Sequence, residues 1–358
     1  MVMIKSVFER RKVARLAVVL TLLTIQPWLL TGDRAVARQI SVEFIREKPA
    51  DVRAEWKGLI GDYRLGEDTV SVVEEGGALT LMEKSLAKRR LRPQADDRFS
   101  IDPAWPHGES TCAFKRNGAG LGMSLSIHAR EFSRIFYGGE SGKSFRIKPL
   151  EPPNVLRKEA MKASPPKEEG SFLKFDLVEL KRLDSTIHLD VRYATTNNFM
   201  GERFYSQARA FLQRPAAQAL LRANRSLRSL GYGLLIHDAY RPWYVTKMFW
   251  DATPVGQRVF VADPAKGSRH NRGCAVDLTL YDLKTGKPVE MVSGYDEFSH
   301  RAYPHYAGGT SLQRWYRELL RRAMGEQGFK VFESEWWHFD YKDWRSYPIG
   351  TLTFEEIQ

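Results

Sequence analysis

Cysteine is scarce in this sequence, since only Cys112 and Cys274 occur among 358 residues. Export to an oxidising compartment would permit a disulfide, but the two residues fall in different predicted domains. We therefore expect both thiols to be reduced. Cys274 is also a poor candidate for a metal ligand. If a strand begins near Gly273, strand alternation turns Cys274 away from the face that Ala275 and Asp277 share.

The sequence also lacks His-Glu-x-x-His, the helical motif in which two zinc-binding histidines accompany a catalytic glutamate. This absence argues against the helical classes of zinc protease. The hydrophobic fraction of 43% is ordinary for a globular protein, and nine tryptophans can fill sizeable cores. The length allows two domains.

The N-terminal apolar run, residues 16–30, is shorter than the roughly 20 residues that a membrane-spanning helix needs. It follows a basic start and precedes Ala35-Val36-Ala37, a small-x-small cleavage sequence. These three parts predict a secretory signal peptide over residues 1–37. An uncleaved N-terminal anchor is the alternative. Both interpretations export the protein, with a bacterial periplasm as the best fit, and the first leaves no stable membrane span after cleavage.

Basic residues are scattered along the chain, although the net charge is +12. The densest run beyond the leader is Lys88-Arg89-Arg90. A solvated basic face is one interpretation, and attraction to anionic cell-wall polymer is the other. Nucleic acid is not an expected partner outside the cytoplasm.

Residues 38–150 are predicted to form a small β-rich domain. Glu75-Gly76-Gly77 separates two apolar stretches, residues 69–73 and 78–82, in the pattern of a β-hairpin. Further strand candidates are residues 122–127 and 144–147. No catalytic residue types cluster in this region, and its role stays open.

Residues 151–171 form a linker rich in proline and charge, which favours an extended, solvated connection with a short helix at 155–161. The predicted catalytic domain spans residues 172–358. Helices are expected at 216–230, with Leu220, Leu227 and Leu230 buried, and at 311–325; strands are expected at 234–236 and 329–332. This mixture predicts an α+β fold, with a mainly antiparallel sheet flanked by helices and the site at the sheet edges.

The chemistry is concentrated in two short segments near the C-terminal end. His270 and Asp277 occur in the first, and Glu335 and His338 in the second. Two imidazoles and one carboxylate, with a spare carboxylate beside them, are the set that a catalytic zinc ion requires. Gly273 makes a continuous helix unlikely over the first segment, so a loop ligand followed by a strand ligand is expected.

Each half of this cluster also has a simpler interpretation. A buried Asp277 could be compensated by Arg269 or Arg272 instead of a metal. Glu335 and His338 could form an ordinary hydrogen-bonded pair in the core. Trp336 and Trp337 lie between them in the sequence and indicate a dry setting that strengthens electrostatic interactions.

Taken together, the motifs resemble a known family of zinc peptidases. Ser268-x-His270-x-x-Gly273-x-Ala275-x-Asp277 with Glu335-x-Trp337-His338 is similar to the D-alanyl-D-alanine dipeptidases of the VanX type, which are relatives of the VanY-type D,D-carboxypeptidases. The segments 190–199 and 238–242 agree with it. The resemblance covers about residues 172–357 and leaves the β-rich region outside.

The resemblance implies a role for each matching residue. His270, Asp277 and His338 would hold one Zn²⁺ per catalytic domain. Glu335 would act as general base and then as acid, and Arg241 would stabilise the oxyanion. A salt bridge to Asp238 is the alternative for Arg241.

Other matching positions have less definite roles. Ser268 would contact the substrate or cap its own loop. Tyr193 and Asn198 would line the pocket or pack at a strand edge. Asp340 is expected to support the site, or to form a surface ion pair, rather than to bind the metal.

The expected function is that of an exported zinc metallopeptidase that hydrolyses the dipeptide D-Ala-D-Ala. A D,D-carboxypeptidase or endopeptidase that trims peptidoglycan stem peptides with the same site is the first alternative. A non-catalytic cell-wall-binding protein is the second. The presence of Glu335 disfavours the second, because a binding protein has no need for a catalytic base.

Overall fold

The computed structural model describes residues 47–105, 108, 110–139 and 144–357. The signal peptide predicted at residues 1–37 lies outside the described residues. Lys48–Gln358 form one compact unit, within which the boundary expected near residue 172 falls. Among the described residues, no helix has the length and apolar character needed to span a bilayer.

The N-terminal part of this unit is a closed barrel of eight antiparallel strands in sequential order. The strands are β1 Gly61–Leu65, β2 Asp68–Glu75, β3 Ala78–Glu83, β4 Lys88–Pro93, β5 Arg98–Asp102, β6 Thr111–Arg116, β7 Gly122–Ile127 and β8 Arg130–Arg134. A short helix, α1 Ala54–Lys57, precedes them. β8 pairs with β1 and so closes the sheet.

Alternating residues of the strands fill the barrel with side chains, including Tyr63, Leu81, Phe114 and Phe132. The predicted hairpin is confirmed, since β2 and β3 pair on either side of Gly76 and Gly77. The strand predicted at 122–127 is confirmed as β7. The strand predicted at 144–147 is wrong, because this stretch has no regular secondary structure.

The predicted linker is more structured than expected. Helix α2, Pro153–Lys162, contains the helix predicted at 155–161 and buries Leu156 and Ala160. The Glu168 carboxylate accepts hydrogen bonds from Arg272 Nη2 and from the backbone nitrogen of Ile349, each at 2.6 Å. The segment therefore packs on the region predicted to be catalytic, which begins at residue 172 and is called the catalytic region below. It is not extended and solvated.

The catalytic region mixes helices and strands as predicted. Its helices are α3 Leu180–Leu183, α4 Arg214–Arg228, α5 Trp243–Ala252 and α6 Ser311–Gly325. Its strands are β9 Leu177–Glu179, β10 His188–Leu189, β11 Phe211–Gln213, β12 Tyr232–Asp238, β13 Ala275–Asp282, β14 Phe329–Phe332 and β15 Glu335–Tyr341.

The main sheet has five strands in the order β10-β12-β13-β15-β14, and β9 pairs with β11 in a separate ladder. Only the β10–β12 pair of this sheet is parallel, so the mainly antiparallel prediction is confirmed. Helices α4 and α6 pack on the sheet with their apolar stripes. The register sets the last residue of β12 beside the third residue of β13, and that residue beside the middle of β15, so these positions lie on the three central strands and not at the sheet edges where the site was predicted.

Two details of the catalytic region differ from expectation. Leu230 was predicted to be buried, but α4 ends at Arg228 and the Leu230 side chain is 41% exposed. Strand β14 confirms the strand predicted at 329–332, but a tight turn follows it, and Glu335 and His338 lie on β15, a strand that was not predicted.

Candidate metal centre

Three polar residues form a row across the centre of the five-stranded sheet. Asp238 on β12 is opposite Asp277 on β13, and Asp277 is opposite His338 on β15. Directly opposed residues share one face of a sheet. The sheet register therefore brings together Asp277 and His338, which lie 61 positions apart in the sequence.

His270 reaches the same point from the loop before β13. Backbone hydrogen bonds from Gly273 N to His270 O, and from Asn271 N to Ser268 O, make a compact turn. Gly273 has φ of 66°, and a Cβ atom there would lie 2.6 Å from Leu177 Cδ2. The expected turn at a glycine, between His270 in a loop and Asp277 on a strand, is confirmed.

Glu335 lies at the first position of β15, three residues before His338. This odd spacing would place the two side chains on opposite faces of a regular strand. The β14–β15 ladder shifts register between Val331 and Phe332. With this irregularity, Glu335 Oε2 comes within 3.7 Å of His338 Nδ1.

One atom from each of His270, Asp277 and His338 converges on a common point. His270 Nε2 lies 3.1 Å from His338 Nδ1 and 3.3 Å from Asp277 Oδ1, and the last two atoms are 3.1 Å apart. A tetrahedral zinc ion, with ligand bonds of about 2.0–2.1 Å, spaces its ligand atoms roughly 3.3–3.4 Å apart. The triangle therefore has the size that a zinc ion requires.

The hydrogen bonds of the two histidines direct their lone pairs into this triangle. His270 Nδ1 is 2.6 Å from the carbonyl oxygen of Ala239 and so carries a hydrogen, which leaves Nε2 as an acceptor. His338 Nε2 is 2.9 Å from Asp340 Oδ1, which leaves Nδ1 as an acceptor. Such an outer hydrogen bond is typical of metal-binding histidines.

The third corner also needs a positive charge. Asp277 Oδ1 is buried and has no hydrogen-bond partner, whereas Oδ2 accepts a bond of 2.9 Å from Tyr295 Oη. Burial would raise the pKa of Asp277, but His270 and His338 outweigh it and hold the pKa well below its usual range. His270, Asp277 and His338 are the group of donor side chains in the described part of the chain that could hold a metal ion.

The ionisation of His338 supports the same conclusion. Burial alone would lower the pKa of its imidazole, but Asp340 and Asp277 outweigh that effect and raise the pKa to about 10. The carboxylates around this imidazole thus favour a positive charge at this position. The donor set, two neutral imidazoles and a carboxylate, suits Zn²⁺ and leaves one coordination position open.

Glu335 lies beside this triangle without being part of it. Its side chain is 14% exposed. Burial raises its pKa to about 7, with an opposing effect of His338. A carboxylate with a pKa near neutrality can both accept and return a proton at physiological pH.

Arg241 is a buried cation at the edge of the site. Its Nη2 lies 2.7 Å from Asp238 Oδ2 and 3.6 Å from Asp277 Oδ2. Its guanidinium carbon lies 5.2 Å from the centre of the Tyr193 ring. The salt bridge to Asp238 is thus present, and it holds Arg241 where its charge faces the cavity.

A cavity of about 410 Å³ opens over these groups. Glu335, Arg241 and the three convergent residues line it, together with an apolar wall that includes Phe199, Phe249, Phe260, Phe298, Phe332 and Trp344. A larger cavity, of about 770 Å³, lies between the barrel and residues 282–316, away from the group of donor side chains. The candidate metal ligands, together with Glu335 and Arg241, line the smaller cavity and not the larger one.

The three remaining candidates have different positions. Ser268 lines the cavity, and its Oγ also accepts a 3.2 Å bond from His270 N, so both interpretations of Ser268 describe its contacts. Tyr193 lines the cavity. The expectation that Asn198 lines the pocket is wrong. Its side-chain amide donates to Thr195 O, at 2.8 Å, and accepts from Met200 N, at 3.1 Å, and so organises a turn.

Two residues at the site were missed by the sequence interpretation. Tyr295 donates to Asp277, and Asp296 lines the cavity and accepts a 2.7 Å bond from Tyr193 Oη. Burial and the nearby Asp277 raise the pKa of Asp296 well above its usual range. Both residues lie in an irregular segment with no periodic pattern, and a Tyr-Asp pair there is common without function. Their position became evident only from the fold.

Both cysteines are free, as predicted, and both are buried. Burial raises the pKa of Cys274 to about 12. Cys274 is also not among the donor side chains that converge at the candidate metal centre.

The C-terminal half of the chain, which contains this site, is similar to known proteins. Residues 174–355 match the family model Peptidase_M15, described as D-ala-D-ala dipeptidase. The D-alanyl-D-alanine dipeptidase of Escherichia coli (strain K12) is 36% identical over 174 residues, which are 49% of this chain and 89% of that protein. The corresponding enzyme of Enterococcus faecium is 35% identical over 194 residues, or 48% of this chain and 95% of that protein. The enzyme of Enterococcus faecalis is 33% identical over 193 residues, with the same two coverages. The barrel lies outside the family match.

Proposed function

This chain belongs to the Peptidase_M15 family of D-Ala-D-Ala dipeptidases, and from that premise we propose that it hydrolyses free D-Ala-D-Ala. His270, Asp277 and His338 would hold the catalytic zinc ion. One observation carries the proposal, namely that three acceptor atoms of these residues converge within 3.1–3.3 Å of one another in a cavity beside Glu335.

Zinc held by these residues would supply Lewis acidity, the chemistry that polarises an amide carbonyl and activates water at neutral pH. Glu335 then moves the protons. Its carboxylate accepts a proton from the attacking water and passes it to the nitrogen of the leaving D-Ala. A pKa near 7 suits both transfers.

Arg241 would stabilise the negative charge that develops on the former carbonyl oxygen. Asp238 holds the guanidinium through Nε, at 2.9 Å, and Nη2, at 2.7 Å, so the cation is already in place before the reaction. Such preorganised charge lowers a barrier more than a mobile side chain can, because it needs no reorientation during the reaction.

A dipeptidase must recognise the free ammonium group of its substrate. Asp296 is an acidic side chain of the cavity outside the three convergent residues and Glu335. Burial, Asp277 and Glu335 raise its pKa despite the opposing effect of Arg241, so its ionised form needs a further cation close by. A bound ammonium would supply that cation and favour the ionised carboxylate, so we assign Asp296 to this role.

The opposite end of the substrate carries a carboxylate. Ser268, Arg269 and Lys266 line the cavity on the side of the His270 loop. Arg269 packs over the rings of Phe332 and Trp344, at 5.5 and 4.9 Å, which restricts its guanidinium. We assign carboxylate recognition to Arg269, with the Ser268 hydroxyl as a second donor.

Substrate discrimination tests the proposal. Zinc-loaded protein is offered D-Ala-D-Ala, the same dipeptide with an acetylated amine, and a pentapeptide stem ending in D-Ala-D-Ala. Only the free dipeptide should be hydrolysed at a substantial rate, because acetylation removes the charge that Asp296 recognises. Asp296→Asn should reduce kcat/KM for the free dipeptide and narrow its advantage over the acetylated one.

Other outcomes would favour the alternatives. Preferential hydrolysis of the pentapeptide would mean a D,D-carboxypeptidase. Binding of wall fragments without hydrolysis of any of the three substrates would mean a non-catalytic binding protein.

We also propose that the protein is exported to the periplasm after removal of residues 1–37. Its support is the basic, apolar and small-residue pattern of the leader. N-terminal sequencing of protein from the periplasmic fraction should begin at Arg38. Full-length protein in the membrane fraction would instead indicate an uncleaved anchor.

A further inference from the structure

Asp62, on β1 of the barrel, is a buried carboxylate surrounded by four donors. Ser71 Oγ and Tyr137 Oη donate at 2.6 and 2.8 Å. Tyr306 Oη lies 3.2 and 3.3 Å from the two carboxylate oxygens, and His300 Nε2 lies 3.1 Å from Oδ2. The last two donors belong to the catalytic region. Asp62 thus joins the barrel to the segment 300–306.

The charge of Asp62 strengthens this link. Burial would raise its pKa, but the hydrogen bonds from His300, Ser71 and Tyr137 outweigh burial and hold the pKa below its ordinary range. The carboxylate is therefore ionised at neutral pH, and hydrogen bonds to an ionised acceptor are stronger than neutral ones.

A second link from the barrel lies just beyond this segment. Glu74 on β2 accepts a 2.7 Å bond from the backbone nitrogen of Ser311, the first residue of α6. Glu74 N donates to Gly309 O at 3.1 Å, and Arg314 Nη2 donates to Glu74 O at 2.8 Å. The barrel therefore fastens residues 300–314 at two places.

The residues just before this fastened stretch belong to the catalytic site. Ser293 Oγ accepts a 2.8 Å bond from Trp336 Nε1, and Tyr295 Oη donates to Asp277. Asp296 and Phe298 line the cavity. The segment 291–309 is thus held by the catalytic sheet at one end and by the barrel at the other.

Asp296 has a backbone conformation that needs such support. Its φ is 55°, in the left-handed region that residues other than glycine seldom adopt. A conformation of this kind persists where the surrounding contacts fix it. The bond from Tyr193 Oη to Asp296 and the contacts at the two ends of the segment supply that support.

We propose that the barrel completes the substrate-binding site, with Asp62 and Glu74 as positioning residues that hold Asp296 towards the substrate ammonium. This inference rests on the proposed function for the role of Asp296. It gives the barrel, which lies outside the family match, a specific part in substrate binding. Metal binding and the acid–base chemistry of Glu335 do not depend on it.

The test uses full-length, zinc-loaded protein with Asp62→Asn. We expect KM for D-Ala-D-Ala to rise by about 10-fold, the effect of losing one hydrogen bond to a charged group, while kcat and zinc content change little. Tyr306→Phe, a milder change should Asp62→Asn fail to fold, removes one donor to the same carboxylate. It should shift KM in the same direction, and the two effects should not add.

Asp68→Asn is the matched control. Asp68 is an exposed barrel residue that pairs with Arg130, and both partners lie within the barrel. This variant also removes a barrel ion pair, yet KM should stay at the wild-type value. An effect equal to that of Asp62→Asn would show that general loosening of the barrel, and not the link, changes KM.

Hydrogen–deuterium exchange gives a readout that does not depend on turnover. Ser299 N, Ala302 N and Tyr306 N form hydrogen bonds inside the segment, at 2.8, 3.1 and 3.0 Å. Asp62→Asn should accelerate exchange over residues 291–309 by about 10-fold, because local opening becomes easier by one such bond. Asp68→Asn should leave it unchanged.

The outcomes separate this inference from the proposed function. If wild-type protein hydrolyses no dipeptide, the proposed function fails, and exchange alone still decides whether the barrel holds the segment. If the wild type is active and Asp62→Asn alters exchange but not KM, positioning of Asp296 is contradicted. A joint loss of kcat and zinc would show that Asp62 supports the whole fold, which also overturns the inference.

Discussion

Asp62 and Asp277 are both buried carboxylates beside histidines, yet the regions around them differ in one respect. Both oxygens of Asp62 accept hydrogen bonds, so its charge is fully compensated by donors. Asp277 has a donor, Tyr295, on Oδ2, while its buried Oδ1 has none and faces two imidazole nitrogens. The hydrogen bonds of Asp62 join two parts of the chain, whereas Asp277 keeps a buried acceptor atom that a cation would satisfy.

Asp277 therefore fits the role of metal ligand that we propose for it, and Asp62 does not. Burial and a nearby histidine are common to both. The deciding feature is whether each lone pair already has a hydrogen to accept.

The largest expected effect concerns metal content. His338→Ala and Asp277→Asn should each reduce bound zinc from one per chain to well below stoichiometric, with loss of activity, since three ligands are the minimum of a catalytic zinc site. Plasma emission spectroscopy of dialysed protein measures this. The matched variant His300→Ala, which changes the histidine beside Asp62, should keep its full zinc content. If it lost as much zinc as His338→Ala, the two carboxylates would not differ in metal binding.

The next effect separates chemistry from metal binding. Glu335→Gln should keep zinc near one per chain and lower kcat by about 10²–10⁴-fold, because the general base is removed while the ligands stay. Steady-state kinetics and metal analysis on the same sample decide it. Loss of zinc would make Glu335 a ligand, and unchanged kcat would place the base elsewhere.

A smaller effect is expected from the residue that orients His338. Asp340→Ala removes the acceptor of His338 Nε2 and should weaken zinc affinity by about 10–100-fold, as outer hydrogen bonds to metal-bound histidines do. Competition with a chromophoric chelator measures the affinity. The control variant Asp343→Ala changes a nearby exposed residue and should bind zinc with wild-type affinity. If the two variants have the same zinc affinity, the His338–Asp340 bond does not strengthen metal binding.

The smallest effect is on stability at the barrel link. The pKa of Asp62 is lowered on folding, so its contribution is present above pH of about 4 and is lost as the pH falls through the folded-state pKa. In metal-free protein, Asp62→Asn should reduce the free energy of unfolding by about 1–3 kcal/mol at pH 7, and by less near pH 3. Urea titrations at both pH values test this. A difference that does not depend on pH would mean that the charge of Asp62 is not involved.

The sequence was informative where chemistry is local. The pattern around His270 and Gly273 predicted that His270 lies in a loop and Asp277 on the following strand, and the structure has that arrangement. The Gly76-Gly77 turn likewise predicted its hairpin, because the turn conformation depends on those residues alone. Helix α6 was predicted at its observed bounds from the 3.6-residue spacing of its buried side chains.

Features that depend on distant contacts could not be predicted in this way. Closure of the barrel requires pairing of β1 with β8, and the Asp62–Tyr306 bond joins residues 244 positions apart. The place of Asp296 in the cavity depends on both ends of an irregular segment. Asn198 was misassigned because a motif position does not reveal whether its amide faces a cavity or the backbone of its own turn.

We propose that hydrolysis depends on one zinc ion held by His270, Asp277 and His338. The most direct measurement is D-Ala-D-Ala hydrolysis by wild-type protein after removal of metal with a chelator and again after stepwise addition of zinc. We expect no hydrolysis in the stripped protein, and activity that rises linearly until one zinc ion is bound per chain. Full hydrolysis by protein shown to contain no metal would contradict the account.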